Sequence, residues 1–310
     1  AKLSKELVTL QLDLDVGVAL EDIGPPVPNA ELLRPLFQRL GFKNLLADLA
    51  AQSPPQDDVE QKYSVVTETA ALTALLDRLQ ACESIAIAAE TSGKGVFQRQ
   101  LVGMAFALAK GEAVYVPLGD DDKGHIEMLR PLLAAATPKK HCHDLKRLMA
   151  AFRASQIEIH GIDLDTMLAS YCTEPGLRSH SLDDLALKHF AFKKTSAKDL
   201  LGTGKKQRTF ADIDAQLIGN YVCEEADLVM RLVTPLTELL QRYETKALYR
   251  EMELPLVPVV FDMENTGIAI DTDHLKLPSG ELATRTADLQ SRVFDRAGHE
   301  YTLASPAPLA

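Results

Sequence analysis

SIAIAAETSGKGVFQRQLVGMAFALAKGEAVYVPLG, residues 84–119, contains three apolar runs: SIAIAAE (84–90), LVGMAFALA (101–109) and EAVYVPLG (112–119). Each is too short for a typical helix, and glycine-bearing stretches separate them, which predicts three successive strands with an antiparallel start. Downstream, helical patterns over about 124–136 and 144–154 flank KKHCHD (139–144), where a further strand is expected, and QIEIHGI (157–163) predicts another. Helices are then expected near 164–172, 181–189, 212–219 and 221–243. Strands interleaved with helices in this way indicate an α/β fold, a mixed sheet flanked by helices.

Upstream, IGPPVPNAE (23–31) is a proline-rich turn, and Leu32, Leu33, Leu36, Phe37 and Leu40 follow at helical spacing. Asn29 suits the N-cap of that helix, Pro35 its first turn, and Gly41 its stop. AQSPPQDD (51–58) is polar and proline-bearing, as a linker would be. At the other end, ELPLVPVVFDMENTGIAID (253–271) predicts a proline-interrupted apolar helix, a turn at Asn265-Thr266-Gly267 and a short strand. Helical periodicity returns over 279–298, and the last residues, SPAPLA, provide no natural C-cap, so the chain is expected to be a piece of a longer one.

The 310 residues, 46% of them apolar, suffice for two or three domains. Cys82, Cys142, Cys172 and Cys223 form no Cys-x-x-Cys pair, so neither a disulfide framework nor a zinc ribbon is indicated, and a reducing cytoplasm fits. No basic segment leads into an apolar core at the start, and every apolar run is shorter than the roughly 20 residues a membrane helix needs. A net charge of −11 excludes a body coated with phosphate-binding cations. Any nucleic-acid contact must be local, and Lys188, Lys193, Lys194, Lys198, Lys205, Lys206 and Arg208, opposed only by Asp199, form the one basic stretch. It reads either as a solvated face or as a set of phosphate contacts.

Several runs together resemble bacterial DNA polymerase I of the A family: KLSKELVTLQLD (2–13), DTMLASY (165–171), HSLDDLALKHF (180–190), GTGKKQRTF (202–210), ELPLVPVVFDMENTGIAID and SPAPLA. The resemblance implies a tail of the 5′→3′ nuclease region plus linker over 1–60. A ribonuclease-H-like 3′→5′ exonuclease fold follows over 61–248, and the start of the polymerase domain, palm approach and thumb, over 249–310. It further implies a monomeric cytoplasmic parent that copies DNA in replication and repair and uses Mg2+, with DNA as partner. The nucleotide-transfer motifs of that family lie beyond Ala310.

Cutting a phosphodiester with two metal ions requires several carboxylates converging on both cations. In the family these come from an Asp-x-Glu on the first strand, an aspartate on the middle helix and the aspartate of a Tyr-x-x-x-Asp. Matching IAIAAETSG to the first element puts Ala88 at the aspartate and Glu90 at the glutamate. Matching CHDLKRLMA to the second puts Asp144 at an amide-bearing position and Leu148 at the metal aspartate. The third keeps Tyr221 but offers Glu225, one methylene too long. A degenerate module serving as a structural platform is therefore expected, with no cofactor of its own. Two alternatives stand beside it. One is slow nuclease activity with Glu90, Glu225 and Asp144 or Asp227 holding a single metal; the other is a single-strand DNA module using Lys193, Lys194, Lys205, Lys206 and Arg208. His141, His143 and Asp144 lack a second half-site for zinc, and Cys223 reads as a small buried hydrophobe.

Overall fold

The computed structural model describes residues 2–10, 17, 24, 28–52, 59–93, 100–119, 123–204 and 207–303. Its helices, in chain order, are α1 (Lys2–Val8), α2 (Ala30–Leu40), α3 (Lys43–Gln52), α4 (Thr69–Ala81), α5 (Lys123–Ala134), α6 (Leu145–Phe152), α7 (Thr166–Thr173), α8 (Leu182–Phe190), α9 (Ala197–Leu201), α10 (Ala215–Arg242), α11 (Lys246–Leu248), α12 (Leu254–Thr266) and α13 (Thr272–Ala297). The strands are β1 (Lys62–Val65), β2 (Ser84–Ser92), β3 (Gln100–Ala109), β4 (Glu112–Pro117), β5 (Lys139–Cys142) and β6 (Ile162–Asp165). The chain divides into two units, Ala1–Pro258 and Val259–Ala310.

In the first unit the six strands form one mixed sheet in the order β1-β4-β3-β2-β5-β6. The expected meander is present, β2 against β3 and β3 against β4, both antiparallel. Parallel partners complete it: β1 on β4, β5 on β2 and β6 on β5. Alternation along the strands sorts side chains by size. Ile85, Ile87, Met104, Phe106, Val114 and Val116 join the core under α4, α5 and α6. Ala86, Ala105, Ala107 and Ala113 take the opposite face, in the core shared with α7, α8 and α10. Methyl groups there let the 28-residue α10 lie close across the sheet, against β1 to β5.

On the alanine face Tyr115 is 1% exposed, and two glycines make room for it. A Cβ on Gly103 would collide with its hydroxyl and ring, and one on Gly219 of α10 would meet its ring and Val65. Gly103→Ala is accordingly expected to destabilise the unit by about 1–3 kcal/mol, the ordinary range for overpacking a tight core. Denaturant titration measures this, and an unchanged midpoint would show that Tyr115 has another place to go.

Five expectations need correction. Residues 157–161 form no strand: Ile157 N–H returns to the carbonyl of Phe152, His160 N–H goes to Leu133, and pairing with β5 begins only at Ile162. The helices expected at 212–219 and 221–243 are a single α10, because Gly219 is a packing residue rather than a break. Residues 267–271 form no strand, since an apolar alternation needs a neighbour to bond to; Ile268 is 91% exposed. The last helix begins at Thr272, not 279, because Asp271 accepts from His274 N–H as its cap and the helix runs on through Pro278. Upstream, Asn29 caps α2 by accepting from Leu32 N–H and Gly41 ends it in the left-handed region, while Pro35 falls beyond the first turn. The short edge strand β1 and helices α3 and α4 were not individually expected. Most of the 51–58 linker and all of 305–310 lie outside the described residues.

The second unit consists of the latter part of α12, then α13, which ends at left-handed Gly298. Phe294 meets Tyr301 edge-on at 5.6 Å between ring centres. No described helix is long and apolar enough to cross a membrane.

Candidate functional site

The site lies where β2, α6 and α10 converge. Two-residue spacing puts Ala88 and Glu90 on one face of β2, and four-residue spacing puts Tyr221 and Glu225 on one face of α10. Between them and the loop before α8 opens a cleft of about 690 Å3, lined by Ala88, Asp144, Arg147, Leu148, Tyr221 and Glu225 among others. The residues matched to the three exonuclease elements are thus gathered in one place, with Glu90 just beneath the lining at 3% exposure.

What surrounds the two glutamates is cationic. Arg147 donates from one nitrogen to both carboxylate oxygens of Glu90, at 2.8 and 2.9 Å. Lys194 Nζ lies 3.0 Å from Glu225 and 4.0 Å from the centre of the Tyr221 ring, with a side chain 1% exposed. It also donates to the carbonyl of Thr195 at 3.1 Å. The preceding glutamate fixes the same segment, because Glu224 accepts from the N–H of Thr195 at 2.8 Å. Two consecutive glutamates of α10 therefore grip two consecutive residues of the α8–α9 connection.

Burial, and then the charge of Glu225, push the Glu90 carboxyl up against the pull of Arg147. The Glu90 charge in turn raises the Arg147 guanidinium. Burial and the Glu225 charge raise the Tyr221 phenol, which also donates to Glu225 and therefore stays protonated. The two carboxylates are close enough to feel each other, and each has its own cation.

Asp144 lines the cleft but serves as the left-handed N-cap of α6, accepting from Arg147 N–H at 3.1 Å. Asp227, two residues from Glu225, faces away and accepts from Tyr63 Oη at 2.8 Å, Gly111 N–H at 2.6 Å and Arg231 at 2.7 Å. It is not placed to share a metal with Glu90. Leu148 is 5% exposed and packs into the core under the sheet. Among the described residues, no three His, Cys, Asp or Glu side chains are grouped to hold a metal ion. Both Glu90 oxygens are taken by Arg147, Glu225 is taken by Lys194, and Ala88 and Leu148 have no donor, so this set does not fit a pair of hard divalent cations.

The basic stretch is dispersed. Lys194 is buried in the cleft wall rather than displayed to solvent, and Lys188 is ion-paired with Glu174. Lys193, Lys198 and Arg208 are exposed, while Lys205 and Lys206 lie outside the described residues. Spacing did not reveal Arg147 or Lys194 as partners of the glutamates. The one signal for Arg147 was a basic residue directly beside the missing ligand position.

His143 lines the cleft with Nδ1 2.8 Å from Thr166 Oγ1, and burial followed by the charge of Arg147 drives it down to about 3. It is neutral in the fold, whereas an unfolded histidine takes a proton below about 6.5. Its contribution is thus intact above that pH and is lost as pH falls toward the folded value. Relative to His143→Asn, the parent should lose on the order of 2 kcal/mol of stability between pH 7 and pH 5. Parallel pH profiles for the two proteins would show that the ring is not held neutral.

The family model "DNA polymerase I, ribonuclease H-like domain" matches residues 87–232. The chain is 34% identical to DNA polymerase I of Pseudomonas aeruginosa over all of its own length and 36% of that protein's. It is 28% identical to DNA polymerase I of Geobacillus stearothermophilus, over its full length and 34% of that protein's. The chain thus spans about a third of the length of the curated relatives it matches. Among solved structures, the POL domain of Pol1 from M. smegmatis in complex with DNA primer-template and dNTP superposes with a TM-score of 0.57 at 25% identity, covering 79% of this chain and 39% of that one. Brucella melitensis NrnC with bound Mg2+ shares the fold at a TM-score of 0.53 and 16% identity, over 67% of this chain and 94% of that one.

Proposed function

Because the chain belongs to the DNA polymerase I family and carries its ribonuclease H-like domain, we propose that this domain does not cut DNA. Instead it is a fixed platform for the polymerase part of a cytoplasmic, Mg2+-dependent family A DNA-directed DNA polymerase acting in replication and repair. We assign the platform to 61–248 and the start of the polymerase domain to 249–310.

The observation that carries this reading is the donor set. A two-metal cut needs one cation to activate water and a second to hold the leaving oxygen, each fixed by several oxygens. Here Ala88 and Leu148 contribute none, and the oxygens of Glu90 and Glu225 are directed at Arg147 and Lys194. A group that orients a reacting water must be placed to within about 0.5 Å, and no such array remains. The platform role draws on the two cores sealed on either face of the sheet and on α10 bridging five strands.

A 5′-labelled single strand incubated with pure protein and Mg2+ or Mn2+ tests the reading. Full-length substrate should persist at all protein concentrations. Metal-dependent digestion that scales with protein and disappears in Glu90→Ala would overturn it; digestion unchanged in Glu90→Ala would trace to a contaminant.

A further inference from the structure

We propose that Arg147 and Lys194 are built-in counter-ions that take the electrostatic place of two divalent cations, leaving the cleft self-neutralised and closed to metal. The proposal rests on the non-hydrolytic reading and extends it, from the loss of ligands to what replaced the charge they once balanced.

The buried carboxyl of Glu90 and the partly exposed one of Glu225 act on each other through their charges and call for positive charge nearby. A metalloenzyme supplies it with ions from solution; here the chain supplies it covalently. Arg147 covers both oxygens of Glu90, and Lys194 caps Glu225. Two carboxyl groups meet two cations. Lysine is almost never fully buried unless paired, and Lys194 is paired on every side: carboxylate, carbonyl and the face of Tyr221. The grip of Glu224 on Thr195, at both N–H and hydroxyl, keeps the ammonium there. Arg147 is held from the other direction, since its own N–H is bonded to the Asp144 cap of α6.

A divalent ion entering the cleft would have to displace both cations, breaking their hydrogen bonds while being repelled by them at short range. Removing those cations, rather than adding ligands, is therefore the change that should admit metal.

Binding of Mn2+ alone to the 310-residue chain, followed by the electron paramagnetic resonance of free Mn2+, is compared with the Arg147→Met/Lys194→Met double variant. The double variant should bind about tenfold more tightly or better, a difference of roughly 1.4 kcal/mol, and Mn2+ should raise its melting midpoint while leaving the parent's unchanged. The gain should vanish when Glu90→Gln is added. Equal affinity in parent and double variant, or a gain that survives Glu90→Gln, would overturn the proposal. If circular dichroism shows the double variant unfolded, Lys194→Met and Glu225→Gln are compared singly and together. Lys194→Met should lower the melting midpoint and the added Glu225→Gln should recover part of the loss; no recovery overturns the proposal. A parent that binds Mn2+ tightly yet cuts nothing would sink the counter-ions and spare the platform, whereas DNA cleavage by the parent would sink the platform.

Discussion

Asp227→Ala is expected to lose about 3–5 kcal/mol of stability, the range found when one member of a buried ion pair is removed. Asp227 is 1% exposed and Arg231, its partner one turn along α10, 4% exposed. The same carboxylate accepts from Gly111 N–H in the β3–β4 turn and from Tyr63 Oη on β1. One side chain therefore ties the edge strand, the turn and the long helix together. Its removal takes a carboxylate from an interior guanidinium, and with it the acceptor of a backbone N–H and a phenol. Against a total stability of typically 5–15 kcal/mol, a loss of this size leaves a substantial unfolded fraction. Urea titration of parent and variant gives the number; a loss under about 1 kcal/mol would place the charge in contact with water. Asp227→Asn, which keeps an acceptor but not the charge, should fall between.

The second large effect is expected from Asp165→Ala. Asp165 is 2% exposed, and its two oxygens collect four backbone donors: Asp144 at 3.1 Å, Leu145 at 2.7 Å, Met167 at 2.9 Å and Leu168 at 3.2 Å. It thereby caps α7 and also holds the first turn of α6, beside the cleft. A single cap is worth about 0.5–2 kcal/mol, and each buried donor left unsatisfied costs about 1–3 kcal/mol. We expect a total above about 3 kcal/mol, with loss of the cleft geometry that depends on α6. Asp165→Asn tests the same point more gently, because its amide cannot accept through both ends. If either variant melts with the parent, water reaches those donors.

How far the sequence revealed these features depended on the range of the interaction. The β2–β3–β4 meander was legible because each strand is a local apolar run bounded by glycines. The cap at Asn29 and the stop at Gly41 were legible for the same reason, being contacts three or four residues long. The joining of two expected helices into α10 was not, since Gly219 signals a break in isolation and shows its purpose only against Tyr115. At the site, Tyr221 and Glu225 share a helical face by arithmetic. The burial of Lys194 depends on where an irregular segment crosses α10, and no spacing rule encodes that. Asp227 stood in the sequence as a possible ligand beside Glu225, yet its partner Tyr63, 164 positions away, makes it structural.

The alanine face of the sheet has a bearing on biosynthesis. At a translation rate of about 5–20 residues/s, α10 follows β4 out of the ribosome after an interval on the order of ten seconds. Throughout that time the nascent meander exposes Ala86, Ala105, Ala107 and Ala113 on this face, with Tyr115 its bulky member, rather than leucines or phenylalanines. Single methyls offer little apolar area for a chaperone or a neighbouring polypeptide to seize, so the partly made domain can wait for its covering helix with little risk of being captured first.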